Sequence, residues 1–250
     1  MILVKSADEI AKMERACQIV AATLVKLKEM VGPGITTMDL ERKAEELISA
    51  SGGRPAFKGY RGYPACICAS VNSEVIHGIP SARTRLKEGD IVGIDLGVSY
   101  EGFYGDAALT VAVGKVSDEA SRLMEATSKA LELAIEEARS GNRVSDIGYA
   151  VQRHVEGFGY SVVRSFVGHG IGKSLHEEPQ VPNYGPPGRG PRLKPGMTLA
   201  IEPMVNAGDS EVKVLEDGWT AVTVDGSLSA HFEHTVVVTE KGGRVLTLPR

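Results

Sequence analysis

The sequence has 250 residues with a formal net charge of −4, from 28 Lys and Arg against 32 Asp and Glu, and 42% of its residues are hydrophobic. A chain of this size can bury a core without disulfides or a structural metal, and its nearly balanced charge, without long basic runs, argues against nucleic acid as a partner. Because it has three cysteines in no disulfide pattern, no signal-peptide pattern and no apolar run near the roughly 18 residues of a membrane helix, we expect a cytoplasmic protein with no membrane partner.

The first part of the chain predicts two helices followed by a sheet. Residues 6–9 (SADE) have the capping-box pattern, and apolar residues follow at three- and four-residue steps until Gly32. Thr37 then offers the N-cap of a shorter helix that ends at residues 51–53 (SGG). Between about 64 and 114, β-branched runs broken by glycine and proline predict strands.

The second part of the chain predicts the same order of elements. Ser117 begins another long helical pattern, which ends at Gly141. Ser145 offers the N-cap of a shorter helix that reaches about Gly157, and strand-like runs resume at Ser161. The chain therefore predicts helix, helix and sheet twice.

The two parts also align with each other at a constant offset of 107 residues. This offset superimposes residues 86–95 on 193–202, and it also pairs Gly34 with Gly141, Asp39 with Asp146, Leu40 with Ile147 and Gly52 with Gly159. Coincidence is the alternative, since Gly, Lys and Leu are common, but one offset across separate elements favours an internal duplication. We expect a single domain over residues 1–250, with pseudo-repeat halves at about 6–114 and 117–240.

Four acidic residues stand where strands are otherwise apolar. Asp95 and Glu202 are equivalent in the repeat and are predicted to end apolar β-runs, whereas Asp106 and Glu233 are predicted to open them. A hairpin with its turn centred between residues 100 and 101 would place Asp95 directly opposite Asp106. Two carboxylates in that arrangement repel each other unless one is protonated or a cation lies between them.

A metal site explains these four acids together better than four solvated strand ends do, although any one of them alone fits the solvated interpretation. Four carboxylates carry as much negative charge as two divalent ions carry positive charge. His169, in the glycine-rich segment 168–172, can supply a nitrogen ligand, and this ligand set suits Mn, Fe(II), Co or Zn. The segment continues into the tripeptide GKS at 172–174, but Val167 stands where a phosphate-binding loop requires glycine, so nucleotide binding is disfavoured.

The remaining histidines differ in what their positions indicate. His77 and His176 lie in loop-like segments and could contact a substrate. His231 shares a strand face with one of the acids and could support a metal ligand. His154, in a helical segment, and His234, on the opposite strand face, are expected to be structural.

The motifs resemble those of the type I methionine aminopeptidases. The segments that carry the resemblance are 59–64 (GYRGYP), 71–72 (VN), 77–80 (HGIP), Asp95, Asp106, 168–172 (GHGIG), 176–179 (HEEP), 201–203 (IEP) and 232–235 (FEHT). The resemblance extends nearly from end to end and leaves no room for the long helical insert of type II members. It implies an α/β (α+β) pita-bread fold, in which two pseudo-symmetric helix-helix-sheet halves share a curved antiparallel sheet with the helices on its outer face.

The resemblance also implies an activity and a set of residues. It implies a dinuclear metalloaminopeptidase that releases N-terminal methionine from peptides and nascent proteins, prefers a small second residue, and uses a metal-bridging water as nucleophile. The implied ligands of its two divalent ions (Co, Mn, Fe or Zn) are Asp95, Asp106, His169, Glu202 and Glu233. Glu202 would also shuttle a proton, His176 would bond the developing oxyanion, and His77 would contact the scissile amide. The implied substrate-binding residues are Tyr60, Tyr63, Cys68, His77, Leu175, His176 and Trp219.

The chain departs from the family pattern without losing an implied ligand. The departures are Leu175 for the usual Phe, and Arg61, Val167, Ser174 and His231 for the more frequent His, Cys, Gly and Gln. Two alternatives keep the same fold: an X-Pro dipeptidase, which usually has an additional N-terminal domain, and a non-catalytic binding protein, which typically loses ligands. We expect a monomer whose partners are peptides and nascent chains with N-terminal methionine, with at most transient ribosome contact.

Overall fold

The computed structural model describes residues 2–249; Met1 and Arg250, which the expected single domain includes, lie outside this range. The four helices of this range are α1 (Ala7–Met30), α2 (Thr37–Ala50), α3 (Asp118–Glu137) and α4 (Val144–Gly157), and a 3-10 turn covers Tyr60–Gly62. The strands are β1 (Arg54–Pro55), β2 (Ile67–Val71), β3 (Glu74–Ile76), β4 (Ile91–Tyr100), β5 (Phe103–Ala112), β6 (Ser161–Val162), β7 (Gly168–Gly170), β8 (Glu177–Val181), β9 (Thr198–Ile201), β10 (Met204–Asn206), β11 (Val212–Val214), β12 (Ala221–Thr223), β13 (Ser229–His231), β14 (Glu233–Val238) and β15 (Gly243–Val245). Within residues 2–249, no helix combines the length and the apolar character needed to cross a membrane.

The long helices begin as predicted, but the two short helices begin earlier. Ser6 and Ser117 are the N-caps of α1 and α3, as expected. The N-cap of α2 is Thr36 rather than Thr37, because the carboxylate of Asp39 accepts the Thr36 N–H at 2.9 Å.

The same arrangement starts α4, where Arg143 and not Ser145 is the N-cap. The carboxylate of Asp146 accepts the Arg143 N–H at 2.7 Å. The hydroxyl of Ser145 instead accepts the N–H of Arg189 at 2.7 Å and so holds a distant loop. The prediction of Ser145 as the N-cap is therefore wrong, because its hydroxyl bonds a residue distant in sequence instead of the first turn of the helix.

One antiparallel sheet dominates the molecule. Its strands follow the order β1-β4-β5-β14-β9-β7-β8, with β2 also paired to β4 and β15 to β14. Two smaller sheets have the orders β13-β10-β6 and β11-β12-β3. In the large sheet β14 lies between β5 and β9, so it joins a strand of the first half of the chain to a strand of the second half.

The two helix pairs are held by equivalent hydrogen bonds. Gly34 N–H donates to Leu86 O at 2.8 Å, and Gly141 N–H donates to Leu193 O at 3.2 Å. Each bond is related to the other by the offset of 107 residues, and α2 and α4 begin and end at that same offset. The two predicted repeats of helix, helix and sheet therefore also share an equivalent hydrogen bond in the structure.

The helices cover one face of the sheet and leave the acids on the other. Apolar side chains of α1 and α2 pack with Val92, Ile94, Leu96 and Val98 of β4. Successive residues of a strand point to opposite faces, so Asp95 points away from the helices. The second helix pair, α3 and α4, packs in the same way on β9 and β14.

The hairpin of β4 and β5 has a different register from the one predicted. Tyr100 pairs with Phe103, so the turn consists of Glu101 and Gly102. Both turn residues have positive φ, 48° and 80°, as a two-residue type I′ turn requires. The sequence prediction centred the turn one residue too early, because glutamate is an unusual residue for that left-handed position.

As a result, Asp95 pairs with Ala108 and Asp106 pairs with Gly97, and the predicted direct pairing of the two aspartates is wrong. The pairing moves by two residues, which keeps both carboxylates on the same face because side chains alternate with a period of two. Both aspartates also lie inside their strands rather than at strand ends. They are therefore diagonal neighbours on the face opposite the helices.

Gly148 of α4 provides a test of the packing between this helix and the loop after β8. A Cβ at Gly148 would lie 2.2 Å from the carbonyl oxygen of Pro182 and 2.8 Å from the nitrogen of Tyr184. Gly148→Ala is expected to lower the free energy of unfolding by about 1–3 kcal/mol, because backbone atoms must move apart. In the same helix, Gly157→Ala is the matched control, since no described atom outside its helix neighbours lies within 4 Å of a Cβ there. Urea denaturation followed by circular dichroism measures both variants, and equal losses would contradict the packing argument.

Candidate active site

A cavity of about 150 Å³ opens on the acidic face of the large sheet. Its lining contains every residue that the sequence analysis singled out for ligation, catalysis or substrate contact: Tyr60, Tyr63, Cys68, His77, Asp95, Asp106, His169, Leu175, His176, Glu202, Trp219 and Glu233. Phe57 and Arg61 also line it. Phe57 was missed because a single aromatic residue before the GYRGYP segment carries no distinctive pattern, and Arg61 was noted only as a departure.

Three of the acids lie on neighbouring strands. Ala108 of β5 pairs with Asp95 of β4 on one side and with Glu233 of β14 on the other. Asp106 lies two residues before Ala108 and therefore shares its face. Glu233 is the first residue of its strand, as predicted. Adjacent strands lie about 5 Å apart, so this register alone brings three carboxylates into one small region.

Glu202 and His169 complete the group from the neighbouring strands. Glu202 directly follows β9, and His169 of β7 pairs with Ala200 of that strand. His169 Nε2 lies 3.6 Å from Glu202 Oε1 and 4.0 Å from Asp106 Oδ2. Ligand atoms of Asp106, His169 and Glu233 all lie within 4.8 Å of one another, close enough to share one ion.

Two threonine hydroxyls bond β5 to its neighbours, one to β14 and one to the end of β13. Thr235 Oγ1 accepts the N–H of Asp106 at 3.0 Å and donates to the Asp106 carbonyl oxygen at 2.8 Å. Thr110 Oγ1 does the same for His231, at 2.9 and 2.8 Å. These side chains replace backbone pairing at both ends of a short ladder, and one of them fixes the backbone of an acidic residue.

The acids are costly to ionise where they lie. Asp106 and Glu233 are buried, while Asp95 and Glu202 keep part of their surface open to the cavity. Burial raises the pKa of Asp95 to about 7. Burial and then the neighbouring carboxylates raise the pKa values of Asp106, Glu202 and Glu233 well above their usual range.

Several buried carboxylate oxygens lack hydrogen bonds. Asp95 Oδ1, Asp106 Oδ1 and Glu233 Oε1 have no hydrogen-bond partner among residues 2–249. Buried polar atoms normally have a hydrogen-bond partner, so those without one call for an explanation such as a bound ion. A divalent cation satisfies these oxygens and removes the repulsion between the carboxylates, so the donor set fits a metal.

His169 is arranged as a nitrogen ligand. Burial lowers its pKa to about 3, so the imidazole is neutral. Its Nδ1 lies 2.8 Å from the carbonyl oxygen of Gly170, to which a protonated Nδ1 donates. This bond places the free lone pair on Nε2, the nitrogen that faces the acids.

Two further histidines border the cavity. His176 Nδ1 lies 2.9 Å from the hydroxyl of Tyr60, and the two rings stack with centroids 5.2 Å apart. His77 has φ of 60°, a left-handed conformation that is uncommon outside glycine. Burial lowers the pKa of His77 to about 4, and its ring meets Trp219 edge to face at 6.2 Å.

The other histidines occupy the places expected of them. His231 is buried, and its Nε2 lies 3.8 Å from Glu202 Oε2, so it faces one of the proposed ligands. His234 Nδ1 lies 2.8 Å from Thr247 Oγ1, and the ring of His154 packs on Phe158 of α4's C-terminal end. Neither His154 nor His234 lines the cavity.

One wall of the cavity is apolar. Tyr63 and Trp219 meet edge to face with centroids 5.1 Å apart, and Leu175 is almost fully buried. The hydroxyl of Tyr63 donates towards Ile67 O at 3.0 Å, which leaves its ring for the cavity. Cys68 pairs with Asp95 in adjacent strands, so the apolar wall and the acidic group meet there.

Comparison with known proteins places the chain among metallopeptidases. Residues 11–240 match the family described as Metallopeptidase family M24. The chain is 52% identical to methionine aminopeptidase 1 of Bacillus subtilis, with 99% of both chains covered. A crystal structure of methionine aminopeptidase from Thermotoga maritima superimposes with a TM-score of 0.98 at 49% identity, over 99% of this chain and 100% of that one. A structure of prolidase from Pyrococcus furiosus superimposes with a TM-score of 0.79 at 25% identity, over 99% of this chain and 66% of that one. The pita-bread fold expected from the motifs is confirmed.

Proposed function

Because the chain belongs to metallopeptidase family M24, we propose that its divalent metal ions bind at the five residues Asp95, Asp106, His169, Glu202 and Glu233. The chain is an enzyme, an aminopeptidase that removes N-terminal methionine from peptides. The observation that carries the proposed site is the set of buried carboxylate oxygens without hydrogen-bond partners among residues 2–249, beside a neutral imidazole nitrogen.

The proposed number of ions is two. Asp106, His169 and Glu233 are close enough for one ion, and Asp95 and Glu202 add two more carboxylates. Oxygen ligands with a single imidazole nitrogen suit Co, Mn, Fe or Zn. When bound, such ions polarise a peptide carbonyl and make water a stronger nucleophile at neutral pH.

Three side chains are proposed to act on the peptide bond. Glu202 takes a proton from the attacking water and gives it to the leaving amine. His176 is neutral because burial lowers its pKa, and a Tyr60 hydroxyl that donates to Nδ1 leaves the imidazole proton on Nε2. That N–H donates to the carbonyl oxygen as negative charge develops there. His77, held beside Trp219, contacts the scissile amide.

The apolar wall is proposed to bind the methionine side chain. A thioether makes favourable contacts with aromatic edges and with another sulfur, which Tyr63, Trp219 and Cys68 offer. Tyr60, His77, Leu175 and His176 complete the substrate-binding set. A preference for a small second residue is proposed together with this binding set.

The remaining proposals concern organisation and setting. Residues 1–250 are proposed to form one catalytic domain that acts as a monomer on peptides and nascent chains, with only transient ribosome contact. A cytoplasmic location fits Cys17, Cys66 and Cys68, which are free and buried.

The test of this function uses metal-free protein reconstituted anaerobically with Mn, Fe(II) or Co. Release of methionine from the peptide Met-Ala-Ser, followed by mass spectrometry, is the expected result, and the dipeptide Ala-Pro should remain intact. Cleavage of Ala-Pro alone would identify an X-Pro dipeptidase. A protein that binds none of the metals would be a non-catalytic relative instead.

A further inference from the structure

A buried ion pair joins the start of the chain to the edge of the active site. Lys5 precedes α1 and is only 7% exposed, which is rare for lysine. Its ammonium group pairs with the carboxylate of Glu177, and the two side chains are 4% and 9% exposed. The Lys5 N–H also donates to Gly196 O at 2.8 Å, so the backbone of this segment is fixed as well.

Gly172 makes room for the lysine side chain. A Cβ at Gly172 would lie 2.3 Å from Lys5 Cε and 2.7 Å from Glu177 Oε1. The glycine in the GKS tripeptide is therefore required by an ion pair, and not by a phosphate. Any side chain at position 172 would push Lys5 away from its partner.

Glu177 connects this lysine to the loop of residues 171–176, which we call the histidine loop. Its Oε1 accepts the N–H groups of Lys173 at 2.8 Å and Ser174 at 3.3 Å. The same loop ends with Leu175 and His176, which line the cavity. One carboxylate thus holds the loop through Oε1 and the N-terminal segment through Oε2.

The pair is sensitive to the loss of either partner. A buried carboxylate without its cation is costly unless water reaches it, and water can reach it only if the surrounding backbone opens. The N–H groups of the histidine loop are bound to this same carboxylate, so the loop is the backbone that would move.

We propose that Lys5 is a positioning residue for catalysis: through Glu177 it holds the histidine loop so that Leu175 and His176 face the substrate. This inference rests on the proposed roles of Leu175 and His176 and extends them to two residues that do not touch the cavity. The N-terminal segment is thereby part of the active-site support, although it lies far from it in sequence.

The test is a double-mutant cycle in the metal-loaded, full-length protein. Lys5→Met is expected to lower kcat/KM for Met-Ala-Ser by about tenfold or more, because Glu177 is left unpaired. Glu177→Gln should also lower it, and the double variant should lose no more than the more impaired single variant, because Lys5 acts through Glu177. The control is Lys129→Met, which breaks the exposed 2.7 Å pair with Glu132 on α3 and should leave kcat/KM within about twofold of wild type.

A second readout separates positioning from catalysis and from metal binding. Trp219 is the single tryptophan of the chain and lines the cavity, so its fluorescence reports binding of free L-methionine. Lys5→Met should weaken this binding while metal content stays at the wild-type level. If it does not fold, Lys5→Gln replaces it with the same expectations.

Two results would overturn the proposal: kcat/KM and methionine affinity unchanged in Lys5→Met, or additive losses in the double variant. A wild-type protein that neither cleaves Met-Ala-Ser nor binds methionine would instead refute the proposed function. The two failures are therefore distinguishable.

Discussion

Replacement of Glu202 by Gln is expected to lower kcat by about 10²–10⁴-fold, the range by which a positioned acid–base group accelerates proton transfer. Glutamine keeps the size and one oxygen of glutamate but cannot accept and return a proton. The Glu202 carboxylate lies beside the proposed ligands, with Oε1 3.6 Å from His169 Nε2, so it faces the place where the attacking water would be activated. Initial rates on Met-Ala-Ser at saturating metal measure the change.

This experiment separates proton transfer from folding and from metal loss. The metal content of Glu202→Gln is measured in the same samples, because Glu202 is also a proposed ligand. Glu216→Gln is the matched control, since Glu216 is exposed on the surface. A circular dichroism spectrum like that of the wild type with near-normal kcat would refute the assigned proton shuttle.

Asp106→Asn is expected to lower the affinity for metal by more than 100-fold. Loss of a residue that only supports a metal ligand costs roughly 10–100-fold in affinity, and loss of a ligand should cost more. Asp106 lies within ion-sharing distance of His169 and Glu233, and its Oδ1 is unpaired within the described part of the chain. An amide carries no charge to balance a cation. Dialysis against metal-free buffer, followed by metal analysis, measures the loss.

A surface aspartate supplies the comparison for this variant. Asp118→Asn changes the same chemical group at the exposed start of α3 and should leave metal content unchanged. Thermal unfolding of the metal-free proteins shows whether Asp106→Asn alters the fold itself. Equal metal content in Asp106→Asn and wild type after dialysis would remove Asp106 from the ligand set.

The acidic site residues could be predicted from the sequence because each one interrupts or borders an apolar strand pattern in which a carboxylate is unusual. A carboxylate in an apolar strand pattern is conspicuous, and the offset of 107 residues related Asp95 to Glu202 without any structure. Strand alternation then decided which side chains share a face, and an error of two residues in the hairpin register left that conclusion intact.

Other features depend on contacts between distant parts of the chain and leave no local signal. The left-handed conformation of Glu101 set the hairpin turn, although glycine or asparagine is the usual indicator. Lys5 and Glu177 are separated by 172 positions, and each alone is typical of a solvated charge. Ser145 of α4 likewise gives no local sign of its role, because its hydrogen-bond partner Arg189 lies in a loop distant in sequence.

The position of β14 has a consequence for synthesis of the protein. This strand carries Glu233 and lies between β5 and β9, so it leaves the ribosome after both of its neighbours in the sheet. Until it inserts, the edges of β5 and β9 stay unpaired at this seam and the acidic group is incomplete. Metal binding and closure of the seam are therefore expected together, and fragments split near residue 115 should gain metal affinity only when recombined.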